Sequence, residues 1–160
     1  MPELPEVQAH AGRLTADYAG RQLSKFVPLT FTALKTAVPP VDEAYGHPLI
    51  EVGRRGKYLL VRFDPVTFVI HLMQGGRLLV DAKQALKPRG GQARFVFDDD
   101  GPALLLTEQG TERKAGIWCV PSDSLPDGPP LDHLGPEAYQ VEPDDLLARF
   151  RAKSMRLHGF

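Results

Sequence analysis

Proline stands at position 2, directly after the initiator Met1, with Glu3 beside it and Glu6 one helical turn further on. Removal of Met1 would expose the Pro2 nitrogen as a secondary amine and the new chain start. An α-amino group has a pKa of about 8, far below that of lysine, so a useful fraction is unprotonated at neutral pH without special tuning. Such an amine attacks a sugar aldehyde carbon and gives an iminium, a covalent electron sink. While Met1 remains, the same nitrogen is an amide and is not nucleophilic. Iminium chemistry on a sugar needs carboxylates close by, to move protons as the ring opens and to stabilise the cation. Glu3 and Glu6 meet that need. Prolines and acids also start helices well, so the residue types alone leave a purely structural reading open.

The elements that must hold these residues can be read from periodicity. Val7, Ala11, Leu14 and Tyr18 recur at helical spacing and Gly20 marks a stop, which predicts a helix over Pro2–Tyr18 packed by that stripe on a core. Glu3 and Glu6 then sit together near its start. Eight short apolar segments come next, predicted as strands over Leu23–Leu29, Leu49–Val52, Tyr58–Phe63, Phe68–Leu72, Arg77–Val80, Ala93–Phe97, Ala103–Thr107 and Gly116–Val120. Asp64-Pro65, Gly75-Gly76 and the run from Asp98 to Gly101 are breaks of the kind that connect antiparallel neighbours. The fold class expected is mainly β, an antiparallel two-sheet sandwich of about eight strands with an N-terminal and a C-terminal helix. Pro121 to Asp145 reads as a polar connector and Leu146 to Phe160 as helical. A β-sandwich domain with its leading helix is expected over 1–145, followed by the helical stretch 146–160.

Totals limit the function classes. The 160 residues carry a formal charge of -1, so any contact with nucleic acid must come from a local basic patch. Arg54-Arg55-Gly56-Lys57 is one such patch, although a solvated face is the ordinary reading of a charge cluster taken alone. A single cysteine, Cys119, excludes an internal disulfide and any multi-cysteine metal site, and suits a reducing compartment. No run approaches the roughly 20 apolar residues needed to cross a bilayer. A cytoplasmic protein is expected.

The string Pro2-Glu3-Leu4-Pro5-Glu6-Val7, locked to the chain start, resembles the N-terminal signature of the formamidopyrimidine-DNA glycosylase and endonuclease VIII family. The likeness continues through Arg55-Gly56-Lys57-Tyr58-Leu59-Leu60, His71-Leu72 before Gly75-Gly76, and His133-Leu134-Gly135-Pro136-Glu137. The resemblance implies a DNA repair enzyme: a glycosylase with abasic-site lyase activity that excises oxidised bases. It makes Pro2 the nucleophile, Glu3 and Glu6 the carboxylates, and Lys57 a contact to the strand beside the lesion, flanked by Arg54 and Arg55. His71 is assigned no catalysis, and the His133 motif reads as a structural turn.

Enzymes that flip a base out must also fill the hole it leaves. In the formamidopyrimidine branch the fillers are a methionine, an arginine and a phenylalanine. Here Gln74 takes the methionine position with Met73 just before it, Arg113 takes the arginine position beside Lys114, and Ala115 replaces the phenylalanine ahead of Gly116-Ile117-Trp118. Gln74, Arg113 and Lys114 are therefore candidate DNA contacts without an aromatic wedge, which leaves lesion and opposite-base preference open. The resemblance implies that 146–160 starts the run into the family's helix-two-turns-helix domain, with that domain and the zinc finger lying beyond this stretch, which by itself is expected to hold no metal or cofactor and to bind DNA weakly. The expected partner is damaged double-stranded DNA, met by a monomer away from membranes, in a bacterial-type cytoplasm at the nucleoid. The alternative is a non-catalytic binder of damaged or abasic DNA.

Overall fold

The computed structural model describes residues 3–112, 114–137 and 140–152. Pro2, Arg113 and the end of the expected C-terminal helix lie outside the described residues. The first helix, α1, spans Leu4–Tyr18 with Glu3 as its N-cap. It buries Val7, Ala11, Leu14 and Tyr18, the expected stripe.

Eight strands come after it: β1 Leu23–Pro28, β2 Glu51–Arg55, β3 Tyr58–Arg62, β4 Val66–His71, β5 Gly76–Asp81, β6 Gly91–Phe97, β7 Ala103–Glu108 and β8 Gly116–Pro121. They form two four-stranded antiparallel sheets in the orders β1-β6-β7-β5 and β2-β3-β4-β8. A second helix, α2, covers Pro143–Ala152 and buries none of its side chains. The expected mainly β sandwich with a helix at each end is what the chain forms.

Between the sheets, Phe26, Phe63, Phe68 and Phe95 meet edge-on or stacked at centroid distances of 5.0–5.8 Å, a preferred geometry for aromatic packing. The α1 helix is fastened to both sheets. The Thr15 hydroxyl accepts the Val52 N–H at 2.8 Å, and the Tyr18 hydroxyl donates to the Ala103 carbonyl at 3.0 Å. Each buried side chain of the size of Leu14 contributes about 1.5–3 kcal/mol, and each such hydrogen bond about 1 kcal/mol. The start of α1 is thus held by a packed, bonded mount.

Two features differ from expectation. Strand β2 runs over Glu51–Arg55, further into the basic segment than the apolar residues alone suggest, because its register is fixed by the tight turn to β3. The segment after β8 is more than a polar connector. The outer face of the second sheet carries Tyr58, Leu60, Val69 and Trp118, and Leu125, Leu131 and Leu134 fold back to cover it, with Leu131 2% exposed. Two-sided burial explains why β4 is buried at every position up to His71. Cys119 lies inside the core, where burial pushes its thiol up to about 12.

Candidate active site

Helix α1 delivers Glu3 and Glu6 to one end of the sandwich. The Glu3 N–H donates to Glu6 Oε2 at 2.9 Å, so the Glu6 carboxylate is turned toward the chain start. A cleft of about 530 Å3 between α1 and β5 opens beside Glu6, with His10, Arg13 and Arg77 on its walls.

The β2–β3 hairpin brings in the cation. Arg55 pairs with Tyr58, leaving Gly56 and Lys57 as a two-residue turn. Gly56 has φ +57, a conformation that favours glycine and matches the right-handed twist of the strands. From that turn, Lys57 Nζ reaches Glu3 Oε2 at 3.1 Å. Three of the residues singled out from sequence, Glu3, Glu6 and Lys57, are therefore neighbours.

Arg54 departs from the expectation of a solvent-facing cation. Its side chain is 3% exposed, and its guanidinium donates to both oxygens of Glu137 at 3.1 and 3.2 Å and to the Gly56 carbonyl at 3.0 Å. Its Nε donates to Gln8 on α1. Arg55 donates to the same Glu137 and to the Gly135 carbonyl, and the Gly56 N–H donates to Glu137 Oε1 at 2.9 Å. Burial pushes the Glu137 carboxyl up, but the Gly56 N–H and the guanidiniums of Arg54 and Arg55 outweigh it and hold its pKa below the ordinary value. The basic strip is thus largely an internal clamp on the Lys57 turn. In the sequence Glu137 stands out only as part of a turn motif; nothing local marks it as the partner of two arginines.

His71 ends β4 directly opposite Tyr58, with the two rings edge-to-face at 4.6 Å. Its Nδ1 accepts the Met73 N–H at 3.0 Å, which leaves Nε2 as the protonated nitrogen of the neutral ring. Burial, then the charge of Lys57, then His133, lower its pKa. Its position beside Lys57 is not legible from spacing.

The two loops with candidate DNA contacts lie at the same end. Met73 takes φ 54 in the turn between β4 and β5, and Gln74 beside it is exposed. Gly76 is obligatory there: an added Cβ would lie 2.1 Å from the Leu72 carbonyl oxygen. In the second loop Lys114 is exposed and pairs with Glu112 at 3.1 Å, whereas Ala115 is 2% exposed and faces inward. No group of three or more His, Cys, Asp or Glu suited to a metal occurs among the described residues. None of the described helices is long and apolar enough to cross a membrane.

Against known proteins, the profile of the formamidopyrimidine-DNA glycosylase N-terminal domain matches residues 1–116. The chain belongs to that family. It is 32% identical to the formamidopyrimidine-DNA glycosylase of Bordetella parapertussis over 163 aligned residues, covering 98% of this chain and 58% of the relative. It is 38% identical to that of Heliobacterium modesticaldum over 143, covering 86% and 50%. The chain thus spans about half the length of the relatives it matches. The fold is shared with the Lactococcus lactis formamidopyrimidine-DNA glycosylase bound non-covalently to abasic-site DNA, at TM-score 0.69 and 19% identity, over 78% of this chain and 47% of that one. MutM in complex with DNA containing carbocyclic 8-oxo-G superposes at TM-score 0.68 and 19% identity, over 78% and 46%.

Proposed function

We propose that this domain carries the catalytic centre of a DNA repair glycosylase with abasic-site lyase activity, acting on oxidised bases in duplex DNA. The observation that carries the reading is the meeting of Lys57 and Glu3 at 3.1 Å, beside a Glu6 turned toward the chain start.

In this reading the damaged nucleotide is flipped out of the stack and Pro2, freed of Met1, attacks C1′ through its unprotonated nitrogen. The C1′–base bond breaks, the base leaves with the electron pair, and the proton that the Pro2 nitrogen gives up on forming its bond to C1′ passes to the base. Glu3 passes a proton to the ring oxygen as the sugar opens, giving the C1′ iminium. Loss of a C2′ proton then expels the 3′ phosphate and breaks the strand. Glu6 orients the amine or the deoxyribose. Lys57 exchanges Glu3 for a backbone phosphate, and Gln74, Arg113 and Lys114 meet the duplex around the lesion. Arg54 acts through the turn it clamps. The chemistry runs on side chains and the chain start, with damaged DNA as the partner of a monomer in a bacterial-type cytoplasm.

The buried Ala115 favours one alternative, a binder of damaged DNA whose turnover has lapsed, because no aromatic group enters the duplex from that position. Borohydride reduction of Met1-free protein with an abasic-site duplex separates the two. A covalent adduct, absent in Pro2→Gly, is expected. Binding without adduct transfers the assignment to the alternative, and absence of both overturns the DNA reading.

A further inference from the structure

Glu108 is the last residue of β7 and only 2% exposed, an unusual place for an acid unless its oxygens are fully engaged. They are. One oxygen accepts the Lys114 N–H at 2.9 Å and the other the Ala115 N–H at 2.8 Å, closing the loop from six and seven residues along the chain. The described residues of the loop form no helix or strand, so this side chain supplies the order that backbone pairing does not.

The same residue reaches the other loop. Glu108 is the register partner of Gly76 across β5 and β7, and its N–H donates to the Gly90 carbonyl at 2.9 Å. Gly75 lies so close that an added Cβ would stand 2.9 Å from the Gln109 carbonyl oxygen and 3.6 Å from Glu108 Cγ. The turn bearing Gln74 and the loop segment at Lys114 and Ala115 therefore meet at the same buried acid.

We infer that Glu108 is a positioning residue that sets these two loops as one rigid pair for engaging duplex DNA at the lesion. The inference rests on the DNA repair reading above. Loops fixed before binding spend less ordering entropy on contact, and small misplacements of positioning groups are costly to rate. Among the described residues the hydrogen bonds of Glu108 go to Lys114, Ala115 and Gly90 and not to Glu3 or Lys57, so its effect falls on duplex engagement rather than on the iminium centre.

The test compares Met1-free wild type with Glu108→Gln and Glu108→Ala. Glutamine keeps one acceptor and sets an amide against the other N–H; alanine removes both. Borohydride trapping is run on an abasic oligonucleotide as a single strand, which has no opposite base to hold, and as a duplex with each of the four bases opposite. The loss on the duplex should exceed that on the single strand by about tenfold, and preference among opposite bases should flatten. A 2-aminopurine next to the abasic site should brighten less on binding to the variants. Gly75→Ala, pressing on Gln109 from the other loop, should give the same split and serves if Glu108→Ala does not fold. Equal losses on both substrates, or none on the duplex, overturn the inference. If wild type traps neither substrate, the enzymatic reading falls, and the 2-aminopurine response alone decides whether Glu108 positions the loops.

Discussion

Lys57 and Glu3 form an ion pair at 3.1 Å, with the lysine side chain 34% exposed and the glutamate 68%. A pair so open to water contributes only about 0–1 kcal/mol to stability. The contact is therefore weak enough to be exchanged. What holds the two groups near each other is the separate anchoring of their elements, α1 by Thr15 and Tyr18, and the Lys57 turn by Glu137.

Removing the cation should consequently leave the fold alone and weaken DNA binding. Lys57→Met is expected to unfold within about 1 kcal/mol of wild type. Its affinity for an abasic duplex should fall, with the slope of log affinity against log salt reduced by about 1, as for the loss of one phosphate contact. An unchanged salt slope would remove Lys57 from the interface.

Breaking the clamp should do the opposite. Glu137→Ala leaves the 3% exposed Arg54 buried without its carboxylate, which typically costs about 3–5 kcal/mol. Adding Arg54→Met should recover part of the loss in a denaturant titration. The Glu137 carboxyl titrates below its ordinary 4.5 in the folded chain, so its stabilisation is complete above pH 4.5 and disappears as pH falls through the lower folded value. Glu137→Gln should lack that component of acid destabilisation; an acid limb identical to wild type would show that the carboxylate is not its source.

His71 offers a pH readout of the site. Because its folded pKa lies below 6.5, stability is full above pH 6.5 and declines as pH drops from there through the folded value. In a proton NMR titration of the ring, Lys57→Met should raise the His71 pKa but leave it under 6.5, since burial is the larger cause and Lys57 the second. No movement would mean that Lys57 does not sit beside the ring in solution.

Much of this architecture is legible in the chain itself. The α1 stripe, the eight strands and the breaks between them are short-range signals, because helical spacing and turn chemistry act over a few residues. The chain start is the plainest case: Glu3 and Glu6 lie three residues apart, so their meeting needs only a helix start. Lys57 can be nominated from sequence by resemblance, yet its contact with Glu3 depends on how α1 is packed against β2.

Which charges face water depends on the closed fold. Arg54, Arg55 and Lys57 look alike as a basic run, but the clamp buries the first, half-engages the second and leaves the third at the turn tip. Glu137 and Glu108 read as ordinary acids, and their importance comes from desolvation among donors brought from other elements. Local spacing along the chain encodes the periodic elements and the pairing of Glu3 with Glu6. The energetics of each charge were settled by long-range packing, because burial and hydrogen-bond partners exist only once the two sheets, α1 and the covering segment have closed together.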